Sequence, residues 1–182
     1  MIPKLTPARK LLIIVAVQFL VLLSVIGFKQ YTIWTGETVL LKTTPVDPHD
    51  LLRGDFMAVS YEISTIDLQA VVGDHDYGLT VYVELQRGDD GYWRAVAVHG
   101  RREHSFDGTV LIEGDVDMNV SRGTVIHVRY GIEQIFVPEG SGGSLPSGSG
   151  HVIAVEVKVD RFGHAVPRRF IVDGQPFDLR RR

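Results

Sequence analysis

Five carboxylates and one arginine stand at turn-forming positions in this chain. Asp47, Asp50, Arg53 and Asp55 lie in the run PVDPHDLLRGDFMAVSYE, and Glu133 and Glu139 follow later. Oxygen donors gathered in this way suit a hard cation or a cationic substrate group. The same residue types also build turns, because Asp in a segment rich in Pro and Gly accepts hydrogen bonds from its own backbone, and Arg53 is a ready partner for one of them. The turn-building reading is the stronger. Asp115-x-Asp117-x-Asn119 opens like a calcium loop, but Val120 stands where the loop needs Gly, and Ile126 where it needs a bidentate Glu. None of the seven histidines is spaced as a helical metal-binding pair; Asp74-His75-Asp76, the densest cluster, reads as an exposed turn. Neither a metal site nor a cofactor is expected. The chain has no cysteine, which excludes thiolate catalysis, disulfides and Cys-ligated metal.

These groups have to be held by elements whose outline the pattern of apolar residues gives. Between Lys10 and Lys29 runs LLIIVAVQFLVLLSVIGF, residues 11–28, without a charge. An 18-residue helix rises roughly 27 Å, close to the thickness of a bilayer's hydrocarbon core. A cleaved signal peptide has a shorter apolar region ending in a small-x-small site, and Val25-Ile26-Gly27 is a poor one, so the span reads as an uncleaved anchor. Lys4, Arg9 and Lys10 precede it and only Lys29 follows closely, which places the N-terminus in the cytoplasm and the rest of the chain outside it. Tyr31 and Trp34 fit the aromatic belt at the outer interface. From residue 30 onward 15 basic residues face 22 acidic ones, a balance that disfavours nucleic acid and anionic lipid as partners of the domain as a whole.

Beyond the anchor, short apolar runs alternate with Gly- and Asp-rich punctuation, and no stretch keeps a helical period over three turns. The expected fold is all-β, a mainly antiparallel sandwich or partly open barrel, preceded by one N-terminal transmembrane helix. The organisation expected is a cytoplasmic N-terminus over 1–10, the anchor over 11–28, a juxtamembrane linker over 29–37 and an extracytoplasmic β domain over 38–182. Strands are expected over 38–43, 56–63, 79–86, 92–98, 109–112, 124–130, 152–159 and 165–172. Gly88-Asp89-Asp90-Gly91 and Arg161-Phe162-Gly163-His164 read as hairpin turns, and 68–74 as a helical turn. Residues 140–150, almost wholly Gly and Ser, read as a flexible loop inside the domain. In the strand from Phe56, the core face is Met57, Val59, Tyr61 and Ile63.

Gly54-Asp55-Phe56-Met57-Ala58-Val59-Ser60-Tyr61 resembles the eight-residue signature of the GDYXXLXY family of uncharacterised membrane-anchored bacterial proteins. Phe56 stands for the signature Tyr and Val59 for Leu; Gly54, Asp55 and Tyr61 match. Asp47, Asp50 and Arg53 fit the run that precedes the signature. A later block is present as Tyr130, Gly131 and Glu133, followed by Phe136, Pro138, Glu139 and Gly140. The resemblance implies an envelope protein, and an association with polytopic membrane proteins implies an accessory subunit. A Ser–Lys hydrolase similar to the signal peptidases would need a hydroxyl where Val46 stands, and no catalytic residue is assigned. The reading is therefore a bacterial inner-membrane, single-pass protein whose periplasmic domain serves a polytopic partner, with enzymatic activity disfavoured. The alternatives are a cation or small envelope ligand at Asp47, Asp50, Asp55, Glu133 and Glu139, or a purely structural domain.

Overall fold

The computed structural model describes residues 6–44, 56–73, 78–102, 107–121, 123–136 and 150–177. One helix, α1 (Pro7–Thr35), comes first. Pro7 opens it at a position where its missing N–H costs nothing. None of its most apolar window, of mean hydropathy 2.9, is buried against the rest of the protein, so α1 is long and apolar enough to cross a membrane. Residues 29–35, expected as part of a linker, continue the helix instead. Its last turn has a partner on the β domain: Thr32 is buried there, and the Gly36 N–H closes the helix on the Thr32 carbonyl at 2.9 Å.

Thirteen strands follow among the described residues. β1 (Glu37–Thr44) pairs antiparallel with β11 (Ile153–Val159), which pairs with β12 (Ala165–Val172), and β12 with β13 (Gln175–Phe177). At its other edge β1 meets the short β3 (Ser60–Tyr61), giving a five-stranded sheet in the order β13-β12-β11-β1-β3. The second sheet has six strands in the order β4-β9-β8-β6-β7-β5, from β4 (Thr65–Asp67), β5 (Val72–Gly73), β6 (Thr80–Arg87), β7 (Trp93–His99), β8 (Thr109–Val116) and β9 (Val125–Arg129). It is antiparallel except for β5 against β7. A two-stranded ribbon joins β2 (Phe56–Ala58) to β10 (Gln134–Phe136).

Alternation accounts for the core. Val81, Val83 and Leu85 of β6 and Val39 and Leu41 of β1 are fully buried, and with Val155 and Val157 of β11 they belong to one cluster fed by both large sheets. This is the expected all-β, mainly antiparallel fold behind a helix. Pro167 is tolerated within β12 because the β11–β12 register slips between Glu156 and Val157, and the bulge removes the need for a donor there.

Three expectations need correction. The single strand expected over 56–63 is broken: Val59 leaves the ladder and donates its N–H to the Glu133 carbonyl at 2.7 Å, and residues 62–64 form a 3₁₀ turn. The helical turn expected over 68–74 is a turn at 68–70 followed by β5. The strands β4, β5, β10 and β13 were not expected at all; each is only two or three residues long, too short to show a period.

Candidate functional site

The signature residues fall into two groups. Asp47, Asp50, Arg53, Gly54, Asp55, Pro138, Glu139 and Gly140 lie outside the described residues, as do Asp74-His75-Asp76 and most of the loop expected over 140–150. Phe56, Val59, Tyr61, Tyr130, Gly131, Glu133 and Phe136 are described in backbone, and they meet. The ribbon sets Phe56 opposite Phe136 and Ala58 opposite Gln134, so the first signature block is hydrogen-bonded to the second.

Just beyond the ribbon the two blocks exchange buried hydroxyls. Tyr61 Oη donates to the Ile132 carbonyl at 2.8 Å, and Tyr130 Oη donates to the Ile63 carbonyl at 2.6 Å. Each tyrosine thus satisfies a backbone acceptor beside the other, in an interior where an unmet carbonyl costs about 1–3 kcal/mol. Glu133 accepts the Tyr130 N–H at 2.6 Å, closing a turn in which Gly131 takes a φ of 72°, a left-handed conformation that favours glycine. Burial, and then the nearby Glu133 charge, push the hydroxyl pKa of both Tyr61 and Tyr130 upward, so both remain donors. Val59 and Tyr61 are buried on the face expected for them. Glu133, one of the carboxylates for which ligand binding is the alternative to turn-building, is employed in this turn.

The calcium-like segment is also a turn. Asp117 Oδ1 accepts the Asn119 N–H at 3.1 Å, and Asp115 Oδ1 accepts the Thr80 hydroxyl at 3.0 Å. Among the described residues no group of three His, Asp or Glu side chains is arranged to hold a metal ion.

Two features escaped sequence reasoning. The first is a buried carboxylate, Glu84 on β6, whose Oε1 accepts the Thr109 hydroxyl at 2.6 Å and whose Oε2 lies 3.2 Å from His99 Nε2. These residues come from neighbouring strands of one sheet. The carboxylate sits in the middle and the hydroxyl proton points at it, whereas nucleophile activation needs the imidazole between hydroxyl and acid. The trio is built as a structural polar cluster across β6, β7 and β8.

The second is the junction of α1 with the β11–β12 hairpin. Asp160 is 3% exposed. Its Oδ2 accepts the Thr32 hydroxyl at 2.7 Å, while its Oδ1 accepts the N–H groups of Phe162 at 2.8 Å and His164 at 3.1 Å. Burial raises the pKa of this carboxyl, but the hydrogen bonds from Thr32, Phe162 and His164 and the adjacent His164 ring outweigh it, leaving the pKa below the usual carboxylate value. Phe28 stacks edge-on against His164 with ring centroids 5.1 Å apart, and Lys158 Nζ donates to the Gly36 carbonyl at 2.9 Å. Gly163, at φ 96°, lets the hairpin tip turn back far enough for its carbonyl to accept the Glu113 N–H at 3.0 Å, which ties the tip to the second sheet. Beside this junction opens a cleft of about 580 Å³, walled by Thr35 and Glu37, by Thr109 and Leu111, and by Arg161 and Phe162 of the hairpin.

The family model described as GDYXXLXY protein matches residues 18–170, from inside α1 to the last third of β12. No curated protein matches the chain. No solved structure matches it.

Proposed function

The chain belongs to the GDYXXLXY family, and on that premise we propose that it is a single-pass inner-membrane protein, cytoplasmic at its N-terminus, whose periplasmic β domain is an accessory module for a polytopic membrane partner. The observation that carries this reading is the Thr32–Asp160 bond inside the α1–hairpin junction. A domain that only needed tethering would be served by a flexible linker. Here the helix enters the domain without a break, and a buried charged group holds it. Such a joint keeps the β domain at one height and in one orientation above the bilayer, which is useful when its face must meet another membrane protein. The span itself is apolar all round and unburied, so its flanks are open to lipid or to a neighbouring helix.

Gentle crosslinking at native expression followed by detergent pull-down should recover a polytopic membrane protein with the full chain. Recovery of the monomer alone would count against an accessory role. The orientation has its own test: a reporter active only in the cytoplasm, fused after Arg182, should be silent.

A further inference from the structure

We propose that the cleft beside the helix–hairpin junction seats the headgroup of a zwitterionic, amine-bearing phospholipid, with Arg102 and Arg161 on the phosphate and Glu37 on the ammonium. Arg102 and Arg161 approach one ring, Phe162, with guanidinium carbons 5.2 and 4.7 Å from its centroid, and all three side chains line the cleft. Stacking on an aromatic orients guanidinium planes while leaving their N–H edges available for a phosphate's oxygens. Among the described residues neither guanidinium makes an ion pair, and the Glu37 carboxylate has no cationic partner.

Height supplies the second line. Phe28 is the last residue of the charge-free run, and its ring touches His164, so the hairpin tip reaches down to the end of the apolar segment. A helix spanning the hydrocarbon from residue 11 brings Phe28 to its edge, and the headgroup layer above is roughly 5–8 Å deep. Residues 29–35 climb about 10 Å, to the outer edge of that layer, where Glu37 follows. Arg161 and Phe162 are thereby set among headgroups. This step rests on the membrane-spanning reading of α1.

Charge selects among lipids. The walls carry Arg102 and Arg161 against Glu37 and Asp160, which balance, and the Asp160 carboxylate is already occupied by Thr32 and the hairpin backbone. A neutral cleft on an acidic domain favours a headgroup that is itself neutral and can donate hydrogen bonds from its ammonium. Phosphatidylethanolamine meets that requirement. Phosphatidylglycerol lacks the cation, and the methylated ammonium of phosphatidylcholine has no N–H for Glu37.

The test is native mass spectrometry of the full chain in detergent with each of these three lipids added, after carbonate-washed membranes have separately shown that the chain is integral. Phosphatidylethanolamine should be retained at least about fivefold over the other two, and paired R102Q and R161Q should lower its retention by roughly thirtyfold, as two lost phosphate contacts imply. R102K with R161K should restore part of it, which separates loss of charge from misfolding. E37Q should abolish the preference over phosphatidylcholine while keeping phosphate-dependent retention. Equal retention of the three lipids by an integral wild-type chain, unchanged retention in R102Q/R161Q, or complete displacement by millimolar inorganic phosphate would each overturn the lipid site without touching the anchor.

Discussion

Replacing Tyr61 or Tyr130 with Phe removes one oxygen and leaves the ring, so no cavity opens and the change isolates a hydrogen bond. Tyr61→Phe leaves the Ile132 carbonyl without its donor, and Tyr130→Phe does the same to the Ile63 carbonyl; both bonds are buried. A net hydrogen bond of about 1 kcal/mol plus part of the cost of a stranded buried acceptor gives a loss of about 1.5–2 kcal/mol for each variant. The two bonds hold the same pair of segments, the 3₁₀ turn after β3 and the turn before β10, so the double variant should cost less than the sum by at least about 0.5 kcal/mol. Urea unfolding of the full chain in detergent, followed by tryptophan fluorescence, reads all three values. Because the pKa of both hydroxyls is raised in the folded state, their contribution is complete below the unfolded tyrosine value of about 10 and is lost as pH rises beyond it. Wild-type stability should therefore fall above about pH 10, and less steeply in the double Phe variant. Single losses below about 0.5 kcal/mol, or strict additivity, would refute the idea that the two signature blocks form one hydrogen-bonded clasp.

Thr32→Val keeps the shape of the buried side chain but removes the donor to Asp160; it should cost about 1.5–3 kcal/mol at the joint and broaden the distance distribution between spin labels on α1 and β13, measured by pulsed electron spin resonance. Since the Asp160 pKa is depressed on folding, the stability it contributes is present above the unfolded carboxylate value of about 3.9 and is lost as pH falls through the lower folded value. The same spin-label distances should hold from pH 7 to 5 and loosen below about pH 4, with no such acid step in Asp160→Asn. Gly163→Ala imposes a left-handed φ on a residue with a Cβ and sets that atom 3.0 Å from the Glu113 nitrogen; a loss of about 1–2 kcal/mol in urea unfolding is expected.

Much of this protein is legible in one dimension. The helix that could cross a membrane is visible because 18 uncharged, mostly apolar residues run without a break. The long strands are visible because burial on one face imposes a period of two, and the turns at 88–91 and 161–164 because Gly and Asp punctuate them. The family was legible in the residues from Gly54 to Tyr61 and from Tyr130 to Gly140, since a motif is itself a sequence pattern. What those blocks do to one another was not: a tyrosine's ring announces burial, but the carbonyl its hydroxyl will reach lies 71 or 67 residues away and is chosen by strand order. Thr32 and Asp160 stand 128 residues apart, one in an apolar helix and one in a hairpin turn, and neither has a local signal for the other. Glu84 read as one more polar residue of an alternating strand, until β7 and β8 closed on either side and gave its charge His99 and Thr109. Composition and period determined that a long apolar helix precedes a β domain. Only the tertiary structure decided that the helix and the domain are hydrogen-bonded to one another, because buried hydrogen bonds between distant residues exist only once the sheets have brought their backbones within reach.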